Sequence, residues 1–148
     1  MPTIERTITT TASPEAVWAY LSDFTTTNEW DPGTVRTVRR TGNGEVGTEY
    51  HNTSKFLGRE TQLVYTVVES SAPTRIQLRG ENESVTATDT ITMTPQGSGT
   101  RVHYVAQLEF RGMLRRLDPL FSLPVLNLPF KRLGDGAQQG IQRNLDRL

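Results

Sequence analysis

The stretch FKRLGDGAQQGIQRNLDRL, Phe130–Leu148, decides how the rest of the chain must fold. On a helical period Phe130, Leu133, Ala137, Ile141, Leu145 and Leu148 fall within one narrow arc. The segment therefore predicts a long amphipathic helix with one face to bury. Three glycines interrupt it, and each costs about 0.5–1 kcal/mol relative to alanine in a helix interior. Gly134 and Gly140 flank the apolar stripe, where they let the helix approach a sheet closely or leave room for something held between.

Working outward, the partner for that face lies upstream. RVHYVAQLEF, Arg101–Phe110, sets Val102, Tyr104, Ala106, Leu108 and Phe110 against Arg101, His103, Gln107 and Glu109. That alternation predicts a strand with one buried and one wet face. From Thr34 to Phe110 the chain reads as strands and turns alone, punctuated at Gly42–Gly44, Gly58, Ala72-Pro73, Gly80–Glu83 and Pro95–Gly99. Such spacing predicts antiparallel hairpins. With Ile4–Thr10 as a first strand, seven strands are expected. In SPEAVWAYLSDF, Ser13 is a good N-cap, Pro14 suits the first helical position and Glu15 complements the helix dipole. Val17, Tyr20, Leu21 and Phe24 then recur at helical spacing, and TTTNEWDPG predicts a second short helix or turn ending at Asp31-Pro32-Gly33.

The order is thus one strand, two short helices, six strands and a long helix. A single α+β domain spanning 1–148 follows, a seven-stranded antiparallel sheet curved around the C-terminal helix. Curvature leaves space between sheet and helix, and that space is the expected binding cavity.

Composition narrows the function classes. The chain has 148 residues, a formal net charge of +0 and no cysteine; the last excludes disulfides and thiol chemistry, and the neutral balance does not favour nucleic acid, which usually asks for a basic surface. The N-terminal stretch lacks the pattern of a signal peptide, and no window approaches a membrane span. The expectation is a cytoplasmic protein without stable membrane insertion. His51 and His103 are expected on the wet face, so no metal site or cofactor is inferred. The glycines of GNGEVG sit in a hairpin, with no helix following to receive a phosphate.

Asp89 is the principal candidate for chemistry. In SVTATDTITM it shares a face with Val85, Ala87, Ile91 and Met93, which reads as the inner one. A carboxyl there is desolvated and its pKa raised, as a general acid or base needs; an ion pair or a place on the rim are the other readings. Tyr50, Tyr65 and Tyr104 fall on the inner faces of three strands, where each hydroxyl wants a partner that a ligand could supply, or simply packs in the core. Trp30 forms the cavity wall or plugs the end of the sheet. Asp31 is a second candidate acid, with capping of the DPG turn as its alternative role. Leu78 is expected inward and its neighbour Arg79 outward.

DPLFSLPVLNLPF, Asp118–Phe130, crowds apolar residues around three prolines. Pro124 and Pro129 limit helix until Phe130. Leu120, Phe121, Leu123, Val125, Leu126 and Leu128 are too many to leave in water. Three readings stay open: a semi-rigid flap over the cavity, a dimer contact, or a patch that touches a membrane surface.

The order of elements, SPEAVWAYLSDF with the following EW, the GSGTRVHY hairpin and FKRLGDGAQQGIQRNL together resemble the polyketide cyclase/dehydrase and lipid-transport family. That family is START-related and shares the helix-grip fold of the birch-pollen allergen. The resemblance covers essentially the whole chain and rests on structural motifs. It implies a deep, largely apolar cavity for a hydrophobic small molecule such as a lipid, isoprenoid or polyketide. The expected ligand contacts are Trp30, Tyr50, Tyr65, Leu78, Tyr104, Phe121, Leu126, Phe130, Leu133 and Ala137. A cyclase or dehydratase using Asp89 and a tyrosine is the alternative, a protein-interaction module the third. The protein is expected as a monomer or homodimer.

Overall fold

The computed structural model describes residues 2–56, 58–112, 115–116, 119–120 and 124–148, with 124–126 described by backbone alone. Phe121 lies outside the described residues, as does the side chain of Leu126. Neither expected contact has a structural account here, and the flap reading of 118–130 falls largely on the same residues.

The described strands are β1 (Thr3–Thr10), β2 (Thr34–Thr41), β3 (Glu49–Phe56), β4 (Arg59–Ser71), β5 (Arg75–Glu81), β6 (Val85–Gln96) and β7 (Gly99–Phe110). They form one sheet in the order β1-β7-β6-β5-β4-β3-β2, antiparallel throughout. Strands β2 to β7 are thus a continuous meander, and β1 closes against β7. Between β1 and β2 lie helix α1 (Pro14–Leu21), a 3-10 turn (Phe24–Thr26) and helix α2 (Thr27–Trp30). Helix α3 spans Pro124–Leu145. This is the helix-grip architecture.

The local signals act as expected. The Ser13 hydroxyl accepts the Ala16 N–H at 3.2 Å, and Pro14 opens α1. Gly97, at φ +61°, turns the β6–β7 hairpin through a conformation that a side chain would strain. One boundary differs. Helix α3 starts at Pro124 instead of Phe130 and takes in Pro129. The first four N–H groups of any helix lack a partner, so Pro124 forfeits nothing and Pro129 forfeits a single bond. Leu148 lies beyond the helix end and is exposed, so it leaves the buried stripe.

Glycines seat α3. A Cβ on Gly134 would lie 2.8 Å from Ile4 Cγ2, and one on Gly140 would lie 2.1 Å from the Trp30 carbonyl oxygen. The helix then runs along the edge strand. Gln138 and Gln142 donate to the carbonyls of Thr7 and Thr9, and Arg6 pairs with Asp135 at 3.0 Å. Covering an edge in this way removes a template for pairing with another chain.

The core is uneven along the strands. At one end Phe24, Ile76, Ile91 and Met93 are fully packed, with α1 lying on β6. At the other end the inward residues of β6 and β7 include Ala87 and Ala106, and α3 presents Ala137. Small side chains there leave the sheet and helix apart.

Candidate functional site

The space they leave is an apolar hollow of about 180 Å³. Its sheet wall comes from β3, β4, β6 and β7, its roof from Phe130, Leu133 and Ala137 of α3, and its side from Asp31 and Gly33. The rings of Phe56 and Phe130 meet at 4.8 Å. A groove lined by Pro32, Leu128, Pro129 and Arg132 adjoins through Phe56 and Leu133, which line both.

Polar side chains interrupt the apolar lining, Asp31, Tyr65, Asp89 and Tyr104 among them. Asp89 is 5% exposed, and its Oδ2 accepts a 3.0 Å hydrogen bond from the Tyr104 hydroxyl. Burial pushes its pKa up to about 7; the Tyr104 bond holds it down, and the charge of Asp31 adds to the rise. Tyr104 is itself held against Trp30, edge to face at 5.5 Å. Tyr65 lies over Gly80, its cross-strand partner, with ring atoms 2.7 Å from where a Cβ would stand. Gly80 therefore lets the ring lie down on the sheet. The Tyr65 hydroxyl has no hydrogen-bond partner among the described residues although the residue is only 8% exposed. Burial and then the charges of Asp89 and Asp31 raise its pKa.

Asp31 enters from the turn after α2. Its Oδ1 accepts the Gly33 N–H at 3.0 Å and its Oδ2 the Thr34 hydroxyl at 2.8 Å. The turn-capping role is therefore real, and the same carboxyl also lines the hollow. Burial raises its pKa, against the two hydrogen bonds. Behind it runs a buried polar chain. Asn52 Nδ2 donates to Thr34 and Thr37, the Thr37 and Thr27 hydroxyls lie 2.7 Å apart, and Ser54 donates to Asn52 Oδ1. Ser54 reaches the hollow as well.

The structure thus brings Asp89, Tyr65, Tyr104, Phe130, Leu133 and Ala137 together around one space. It places three expected contacts elsewhere. Trp30, Tyr50 and Leu78 are buried but do not line it. Tyr50 packs against Phe24 at the solid end of the core, Leu78 lies on the inner face between Val67 and Asp89, and Trp30 stands behind Tyr104. Tyr50 stands opposite Tyr65 and Leu78 opposite Asp89, level with residues that do line the hollow, so side-chain direction and position across the sheet separate them, which alternation does not give. Reading by residue type passed over Phe56, Ala87, Ala106 and Phe110. The last three share a face with Asp89 or Tyr104 by simple alternation, which was the available signal. His51 and His103 are on the outer face, His103 within 3.4 Å of Glu5, and Arg79 is exposed.

The comparisons agree with this geometry. The model of one family, described as polyketide cyclase / dehydrase and lipid transport, matches residues 1–148. The chain belongs to that family. No curated protein sequence matches it. Solved structures share its fold at low identity. A START superfamily protein from Mycobacterium smegmatis is 13% identical with a TM-score of 0.73, covering 99% of each chain. The Zhui aromatase/cyclase from Streptomyces sp. R1128 is 14% identical with a TM-score of 0.77, over 98% of this chain and 93% of that one. Ara h 8.0201 is 15% identical with a TM-score of 0.64, over 97% and 96%. Among the described residues no helix is long and apolar enough to cross a membrane.

Proposed function

We propose that the chain is a single ligand-binding domain that takes a hydrophobic or aromatic small molecule into the hollow beneath α3. The observation that carries this reading is the pairing of an apolar wall with convergent polar groups. The hollow is lined mainly by carbon, yet Tyr65, Tyr104, Asp31 and Asp89 all open onto it. Ligand sites have this composition, with apolar burial supplying affinity and a few polar groups fixing orientation. A solid core would have filled the positions of Ala87, Ala106 and Ala137 with larger side chains. A cytoplasmic location and a monomeric or homodimeric state are part of the same proposal.

Titration with an apolar fluorophore that brightens on leaving water tests the reading. The wild type should bind one equivalent, and Ala106→Phe, which fills the hollow, should lose binding while its thermal unfolding stays cooperative. Equal binding by both proteins would move the ligand elsewhere.

A second reading is an enzyme with acid–base chemistry, and the Asp89–Tyr104 hydrogen bond favours it. An inward carboxyl with a raised pKa, held by a tyrosine, is the arrangement such chemistry needs.

A further inference from the structure

Asp31, Tyr65 and Asp89 reach the hollow from three separate elements, the turn after α2, strand β4 and strand β6. Their surroundings differ in a way that divides the labour between the two acids. Asp31 accepts two hydrogen bonds from protein donors, Gly33 N–H and the Thr34 hydroxyl. Asp89 accepts one, from Tyr104, and is more deeply buried. Among the described residues that line the hollow, Lys55 is the one cation. Helix α3 contributes Phe130, Leu133 and Ala137, β1 contributes Ile4, and β7 contributes Tyr104 with apolar residues. Lys55, on β3 at the rim, is exposed, and Arg6 on β1 is turned to Asp135. Two carboxyls in one apolar space do not both ionise cheaply, so the better-solvated one carries the charge and the other keeps its proton. Environments that push two acids apart assign one as base and the other as proton-bearing donor.

We propose that the hollow enolises an apolar ketone, with Asp31 as the base and with the Tyr65 and Asp89 hydroxyls as the donors that hold the carbonyl oxygen. This rests on the hollow being a ligand site, and it names the ligand class. In the step, an Asp31 oxygen takes a proton from the carbon next to the carbonyl. The C–H pair becomes the new C=C bond, and the carbonyl π pair moves onto oxygen. That oxygen accepts hydrogen bonds from Tyr65 and from protonated Asp89. Return of the proton to another carbon of the enol completes an isomerisation, and return to the same carbon of a hydrogen that Asp31 has traded with solvent water completes an exchange. The Tyr65 hydroxyl, without a hydrogen-bond partner among the described residues, thereby gains one, as a buried polar group requires. Space is sufficient for a small ring system: a cavity of about 150 Å³ already holds benzene.

The test uses 2-tetralone in D2O. Saturation-transfer NMR reports binding, and proton NMR follows loss of the α-hydrogen signal. The wild type should exchange that hydrogen faster than buffer alone. Asp31→Asn, which keeps the turn-capping acceptor, should slow the exchange by about 10²–10⁴-fold. Tyr65→Phe, nearly isosteric, should slow it by about 10²-fold. Asp89→Asn keeps an N–H donor where the acid offered O–H and should slow the exchange, though less than Asp31→Asn does. The wild-type rate should fall as pH rises through about 7, where Asp89 loses its proton. Bound tetralone that exchanges at the buffer rate, or full activity in Asp31→Asn, overturns the proposal and leaves the ligand site standing. A loss in Asp89→Asn as large as in Asp31→Asn makes Asp89 the proton carrier and overturns the assignment of roles. Absence of binding overturns this proposal and the ligand-site reading together.

Discussion

The Tyr104 hydroxyl donates to Asp89 Oδ2 at 3.0 Å across neighbouring strands, with Tyr104 standing opposite Ile91, two residues from Asp89. The contact is a diagonal one on the inner face, within reach only of a long side chain. It sets the balance at Asp89. Burial favours the neutral acid, and the phenol, a donor, favours the carboxylate.

Tyr104→Phe removes that donor and leaves the packing nearly unchanged. The pKa of Asp89 should then rise above about 7, its value with the bond in place. Carboxyl-carbon NMR titration of the labelled protein measures it directly. At pH 8 the variant should also be less stable by about 1–3 kcal/mol, since a buried acceptor has lost its partner. An unmoved titration would mean that the bond contributes nothing to the charge state.

Asp89 also makes stability depend on pH. Its folded pKa of about 7 lies above the ordinary aspartate value of 3.8, so between those limits the folded state holds a proton that the unfolded state has released. Stability from this group is complete below the unfolded value and is lost as pH rises toward the folded one, at up to about 1.4 kcal/mol per pH unit. Asp89→Asn removes the dependence. Denaturant unfolding at pH 5, 6 and 8 should show the wild type weakening relative to the variant across the series. A constant difference between the two would place the Asp89 pKa in the ordinary range.

Much of this was legible in the sequence, for an identifiable reason. The stripe from Phe130 to Leu145 and the alternation of Val102, Tyr104 and Ala106 are local patterns, and local patterns determine which face is buried. They placed Asp89, Tyr65 and Tyr104 inward. They could not show how far along the strand the filled core ends, because that depends on where α1 and α3 cross the sheet. Nor could they show which inward side chains turn toward α3: Tyr50 and Leu78 stand opposite Tyr65 and Asp89 on the inner face, yet lie outside the hollow. Asp31 presented the same difficulty. Its turn-capping bonds follow from the DPG sequence, whereas its exposure to the cavity depends on Leu133 packing over Gly33, a contact between distant parts of the chain.

The polar chain behind Asp31 gives a third expectation. Asn52 is 2% exposed and joins Thr34, Thr37 and Ser54. Asn52→Leu leaves those hydroxyls short of partners in a buried setting and should cost about 1–3 kcal/mol in chemical denaturation. Thr34, which holds Asp31 Oδ2, loses one of its own anchors. Tetralone exchange should fall more than tetralone affinity, because the base loses its orientation and the apolar wall is intact. Equal losses of both would make the chain a purely structural element.

Gly140 ties the long helix to the site at a distance. A methyl there would stand 2.1 Å from the Trp30 carbonyl oxygen and 2.8 Å from its carbonyl carbon and Cα, all backbone atoms that no rotamer change can clear. Alanine would favour the helix itself by up to about 1 kcal/mol. Overpacking against a fixed neighbour costs about 1–3 kcal/mol, and the steric effect should win. Gly140→Ala should therefore lower stability in thermal unfolding, while Gln139→Ala, on the exposed side of the same helix, should stay within about 0.5 kcal/mol of wild type. The displacement also has a chemical consequence. Trp30 directly precedes Asp31 and backs Tyr104, so pushing it away from α3 moves the base relative to Asp89. The charge of Asp31 is one of the influences that raise the Asp89 pKa, and with Asp31 displaced that pKa should fall. A destabilised variant with an unchanged Asp89 titration would separate the helix seat from the site; a lowered one would show that the bare Cα of Gly140 on α3 helps set the proton balance beneath it.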